Sequence, residues 1–320
     1  MTTPSNARQL YALGFAAFTV PAILLLPRTG WLWTLIAAIS GAAVLAVLIC
    51  LRRRCTKGIA QLAASQTAGK IALIAVVLWN DLMLGKIAAH LCQAYPGGSA
   101  FPLVGLLLLL LAVYAAQNGS STVIRTGAIV FFFLIGFYVL IMGFSLPDLR
   151  LSWLKPDLKP VLSALPAVLA PVSVLYLCEG ETGKPTLWLL CGTMLAVLAA
   201  LVTAGTVSPP VAAKEAFPFY TAAKSVKLFG AMERLEPFVS CALTAGGFCL
   251  LGTLCAVNEK ILSNYFPKPT KFSALTNFLV GGGSLWLTDV LSEGIFALGT
   301  TIFWGIFPFV TLLLGARKNN

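Results

Sequence analysis

Asp81 follows Asn80 near the middle of an apolar run, 71–91, and an acid at such a depth is where the chemistry of this sequence starts. A carboxylate in hydrocarbon costs several kcal/mol unless it faces a protein interior or carries a proton. Asp81 is therefore expected to point inward. It is a contact for a ligand amine, a proton site, one half of a buried structural pair, or a residue nearer the end of a span whose boundary is drawn too deep. Lys86, five residues on, lies about 140° around an ideal helix and is not placed to pair with it along one face. Pro21 sits inside another apolar run, where proline removes a backbone hydrogen bond and crowds the preceding turn. This makes 19–22 (Thr19, Val20, Pro21, Ala22) either a plain kink or an unwound stretch whose freed backbone groups can hold a small zwitterion. Pro166, Pro171 and Ser173 supply a counterpart in the second half of the chain.

The remaining reactive residues fit no catalytic or metal pattern. His90 is the sole histidine and lies toward the end of its run. The eight cysteines form no C-x-x-C pair and read as small buried apolar side chains. Glu179 and Glu181 read as a solvated helix terminus, and Asp289 and Glu293 suit a helix N-terminus. Thr244, Gly246, Gly247, Gly252 and Thr253 read as a close-packing surface. No Walker loop, dinucleotide fingerprint or zincin sequence is present, so no enzyme activity and no cofactor are expected.

These residues need a scaffold, and composition names its class. The 320 residues are 58% hydrophobic and 10% charged, with too little polar surface for a water-soluble globule. The mean hydropathy is +0.90. Apolar runs at 9–26, 31–51, 71–91, 101–116 and 123–144 make a first half, and runs at 161–178, 187–207, 238–257, 272–287 and 295–314 a second. The runs at 31–51, 123–144, 187–207 and 295–314 each approach the roughly 20 residues that cross a bilayer as an α-helix. The expectation is an all-α integral membrane protein of about ten transmembrane helices, one domain over 1–320. Two five-helix repeats, at about 8–146 and 160–316, are inverted because an odd number of crossings turns the second half over. The first run, with Pro21 and Pro27-Arg28 and no small-residue cleavage site, reads as a span and not a signal peptide.

The formal charge of +11 is not a nucleic-acid signature here, because the bases lie in loops beside spans, where orientation and anionic lipid account for them. With the N-terminus inside, Arg52, Arg53, Arg54, Lys57, Arg317 and Lys318 fall on the cytoplasmic face.

Several segments, taken in order, resemble the spore-germination permease family, the GerAB-type B subunits of nutrient germinant receptors in the amino acid/polyamine/organocation superfamily. Ile23-Leu24-Leu25-Leu26-Pro27-Arg28 with Gly30-Trp31 and Thr34-Leu35-Ile36 looks like the end of that family's first span and the start of its second. Pro218-Phe219-Tyr220 and Glu233-Arg234-Leu235-Glu236 look like the segment before its eighth span. Ser284-Leu285-Trp286 and Phe307-Pro308 with a basic tail look like its ninth and tenth.

The resemblance implies a LeuT-like fold with broken first and sixth helices. It also implies a nutrient-sensing function in the cytoplasmic membrane, as the inner membrane of the spore, with a small nutrient such as an amino acid as ligand. GerA-type and lipoprotein GerC-type subunits are the implied partners. By segment position, the implied ligand site takes Thr19, Val20, Pro21 and Ala22 from the first span and Asn80 and Asp81 from the third. It adds Ser173 and Val174 from the sixth and Cys249, Leu250 and Thr253 from the eighth. The chain departs from the family where Val20-Pro21-Ala22 replaces glycines in the first break and where Ser173-Val174 stands in place of a sixth-span acid. An ordinary secondary transporter of amino acids, coupled to a proton or another ion, is the alternative that fold alone does not exclude.

Overall fold

The computed structural model describes residues 12–16, 31–55, 57–93, 101–154, 168–177, 186–212, 215, 218–225, 236–266, 269–287 and 291–319. Among them there is no strand, and the long helices fall where the apolar runs lie. The second span is Trp31–Arg53, the third Thr67–Gln93, the fourth Phe101–Gln117 and the fifth Ser120–Ser145. The seventh is Thr186–Thr206, the eighth Glu236–Leu262 and the ninth Pro269–Leu287. The last is continuous but changes winding: α-helix Glu293–Thr300, a π-helical segment Thr301–Ile306, then α-helix Phe307–Asn319. The break at Thr19 to Ala22 lies outside the described residues.

The sixth span is described over 168–177, and there it is a 3₁₀ segment, Ala170–Tyr176, with Pro171 in its first turn. Proline lacks an N–H, and it is tolerated in the first turn of a helix because that N–H would have no partner there. All seven of its residues are buried. The segment packs against the eighth-span helix and the π-helical turn of the last.

Close helix contacts fix the relative directions. Gly247 of the eighth span lies against Leu91 of the third, Asn258 against Asn80, and the Tyr265 hydroxyl donates to the Lys70 carbonyl at 2.8 Å. These two helices are antiparallel. The third and ninth run parallel, because Gly85 meets Gly281 and Ser284, and Leu285 packs on Ala88 and Ala89. Trp79 against Gly299 and Phe303, and Lys86 against Phe296, make the last span antiparallel to the third. The third and ninth thus run one way and the eighth and last the other, as alternate crossings require.

Two of the boundaries that differ from the sequence reading involve buried polar side chains. The eighth helix continues past Val257 to Leu262, because Asn258 turns its amide into the bundle and does not mark the edge of the apolar run. Arg52, read with the loop cluster of bases, is 2% exposed, and its Nη1 donates to the Cys55 carbonyl at 2.8 Å. The guanidinium is thus used to close the turn after the second span, while Cys55 itself reaches the Leu312 carbonyl of the last.

Candidate functional site

Asn80 is the midpoint of its 27-residue helix, Asn277 adjoins the middle residue of the ninth span, and Trp304 adjoins that of the last. The eighth span reaches the same level with Asn258, near its C-terminal end. Four helices therefore bring polar side chains to one depth, and all four of these side chains are buried, as is Asp81 at 0% exposed.

Trp304 Nε1 donates to Asn80 Oδ1 at 2.9 Å. Asn80 Nδ2 donates to Asn258 Oδ1 at 2.8 Å. Asn258 Nδ2 then donates to both Asp81 Oδ1, at 2.9 Å, and Asn277 Oδ1, at 2.8 Å. An indole N–H only donates, so it fixes which end of the Asn80 amide faces it, and each later amide inherits its orientation. The chain has one direction, from Trp304 to the carboxyl group of Asp81 and the amide of Asn277. Its members polarise one another, and in a low-dielectric interior each bond is stronger than in water.

Around this chain the packing is tight. Ser284 donates to the Gly281 carbonyl at 2.8 Å and lies 3.3 Å from the Asp81 carbonyl. A side chain on Gly85 would collide with Ser284 and with ninth-span backbone. Lys86 holds its ammonium 3.6 Å from the centre of the Phe296 ring, within electrostatic reach of Glu293 at the start of the last span. Asp81 is thus not its partner, as the helical geometry led one to expect.

The other candidate residues are placed differently. Ser173 donates to the Ala170 carbonyl at 2.7 Å within its own 3₁₀ segment, with Val174 buried beside it. Thr253 donates to the Cys249 carbonyl at 2.6 Å, so its hydroxyl is satisfied inside its own helix. The antiparallel register sets Thr253 level with Gly85, five residues or about 7.5 Å along the axis from Asn80. Cys249, Leu250 and Thr253 are buried, but none bonds to the amide chain. Thr19, Val20, Pro21 and Ala22 lie outside the described residues. A cavity of about 240 Å³ opens between the short helix Ile59–Ala64, the start of the third span and the end of the last, with Ala72 and Thr311 in its lining. It is set about two helical turns from Asn80.

Asn258, Asn277 and Trp304 were not singled out from sequence. The signal was present as isolated amides within apolar runs: Asn258 was masked by the adjoining Glu259-Lys260, and Asn277 by its polar neighbour Thr276. Among the described residues, no group of three or more His, Cys, Asp or Glu could hold a metal ion.

Compared with solved structures, the chain is similar to Mhp1, a nucleobase-cation-symport-1 family transporter in a closed conformation with bromovinylhydantoin bound. The TM-score is 0.53 at 15% identity, covering 94% of this chain and 78% of that one. No family model matches the chain, and no curated protein matches it. At that identity the likeness is one of fold: this is an all-α integral membrane protein of the LeuT-like kind, with helices arranged as in a transporter.

Proposed function

We propose that the chain is a secondary transporter that binds a small molecule between its first, third, sixth and eighth helices and carries it by alternating access. The observation that carries this reading is the buried amide and carboxyl chain at mid-span, linking the third, eighth, ninth and last helices. Polar groups at that depth are costly and are kept where a pathway or a coupling site needs them. The 3₁₀ segment of the sixth span supports the same reading, since non-helical backbone at membrane depth is tolerated where it is buried in protein or lines a cavity. The likeness of fold to a transporter is compatible with it. An amino acid suits the site, its carboxylate held by backbone amides of a broken helix and its amine by an acidic or amide side chain. Substrate and ion ought to bind one arrangement of the helices better than the other, which is what alternating access requires.

The resemblance to germinant-receptor B subunits favours a second reading, in which the same site senses a nutrient in the spore inner membrane and signals to GerA-type and GerC-type subunits. One of its segments, Ser284-Leu285-Trp286, packs directly on the Asp81 backbone.

Purified protein in proteoliposomes, offered a panel of labelled amino acids and nucleobases, is expected to accumulate at least one of them, and Asn80→Ala to lower that uptake at least tenfold. Absence of uptake, together with loss of a nutrient-specific germination response on gene deletion, replaces transport with sensing.

A further inference from the structure

The two oxygens of the Asp81 carboxyl group have different surroundings. Oδ1 accepts the last amide donor of the chain that begins at Trp304, whereas Oδ2 is buried and has no hydrogen-bond partner among the described residues. A carboxylate in this position would have a single neutral donor for its charge, in the part of the protein where charge is most costly. A carboxylic acid fits better: Oδ1 keeps its amide donor as a carbonyl oxygen, and Oδ2 carries the proton.

Among the described residues, the ionisable groups around it do not supply a counter-charge. Lys86, on the same helix, is turned to Phe296 and lies near Glu293. Cys255 and Glu259 are the nearby ionisable groups of the eighth span, and both are acids. The ninth span contributes the neutral Asn277 and Ser284, the last the neutral Trp304, and the sixth the hydroxyl of Tyr176, which reaches the Phe303 carbonyl at 3.4 Å.

We propose that Asp81 is a proton-binding site, protonated at Oδ2 in the packed arrangement and emptied when the third, eighth, ninth and last helices separate. The step is a simple transfer: the O–H bond at Oδ2 breaks, water admitted between the helices takes the proton, and a carboxylate remains. That carboxylate is stabilised only by water, so it resists repacking of the four helices until a proton returns. Because Trp304, on the π-helical turn, starts the chain that ends at Asp81, a rearrangement of the last span alters the donor set of the carboxyl group. The proposal rests on the transporter reading for its consequence, namely that the proton is the coupling ion.

Infrared difference spectra of the full chain in lipid nanodiscs, taken from about pH 5 to about pH 9, test it, because a buried carboxyl group can ionise across such a range. Carbon-13 labelling of aspartate carboxyls narrows the signal to the chain's four aspartates. The expected result is a protonated-carboxyl carbonyl band at neutral pH, shifted by the label, lost in Asp81→Asn and replaced in Asp81→Glu by a carboxyl band that the aspartate label does not shift, with no change when sodium replaces potassium. The Glu variant keeps the test open if the Asn variant does not fold. No labelled band at neutral pH, a band indifferent to both variants, or one removed by sodium overturns the proposal; the last outcome marks a cation site instead. A protonated Asp81 without substrate uptake would leave this assignment standing and remove only the transporter reading.

Discussion

The third and eighth spans and the fifth span use the same secondary structure for opposite surroundings. In the third and eighth, 56% and 67% of the apolar window is buried, at a mean hydropathy of 1.8; in the fifth, 22% is buried, at 2.6. The helices at the centre of the molecule are thus the less hydrophobic ones. In a soluble protein the order is reversed, because water is the alternative to burial. Here lipid is the alternative, and it is as apolar as leucine, so apolar side chains gain little by facing inward. Interior positions are left to small residues that let backbones approach, such as Gly85 and Gly247, and to polar residues that bond between helices, such as Asn80 and Asn258. The fifth span instead presents Ile129, Phe132 and Val139, each at least two-thirds exposed on the isolated chain.

This contrast can be broken by substitution. Gly85→Leu is expected to have the largest effect, because its side chain has no space against Ser284 and the Gly281 backbone. Overpacking of this kind costs about 1–3 kcal/mol, and more where backbone must move. Loss of folded protein in fluorescence-detected size exclusion is the expected outcome, and a normally eluting variant would show that the third and ninth helices are not in contact at this point.

Asn258→Leu comes next. It strands Asn80, Asp81 and Asn277 without the amide that joins them, at about 1–3 kcal/mol for each buried polar group left unpaired. A lower midpoint of thermal unfolding and at least tenfold slower uptake are expected; unchanged values for both would remove the network from stability and from function alike.

Trp304→Phe deletes the donor N–H and leaves unfilled part of the space the indole occupies, so about 1–3 kcal/mol is expected, the lost hydrogen bond being about 1 of it. Its sharper readout is the Asp81 carboxyl band, which ought to move because the first donor of the chain is gone. An unmoved band would show that the chain does not act as a unit.

Phe132→Leu is expected to change stability by less than about 0.5 kcal/mol, as a substitution on a lipid-facing surface. A loss comparable to that of Asn258→Leu would mean that a partner subunit, and not lipid, covers the fifth span. The same result would strengthen the receptor reading.

The helices themselves were legible in the sequence, since a run of about 20 apolar residues has few other uses, and the spans begin and end within a few residues of the expected positions. Asp81 was legible too, because the cost of its burial is local and depends on nothing but depth. Its partners were not. Asn258 looked like the polar end of a span, and only an antiparallel neighbour running past that end places it at the middle of the third helix. Cys249 and Thr253 looked equally suitable by segment position, yet helix register turns the Thr253 hydroxyl into a bond within its own turn.

Sequence by itself determined that the chain lives in a bilayer, roughly where the described spans lie, and that a carboxyl group is carried at mid-depth, because each follows from transfer free energies of consecutive residues. Tertiary structure alone decided that the carboxyl group ends a directed chain running from the Trp304 indole of the last helix through the amides of Asn80 on the third and Asn258 on the eighth. That outcome depends on helix direction, rotation and the π-helical turn at Trp304, none of which is set by the composition of any one span.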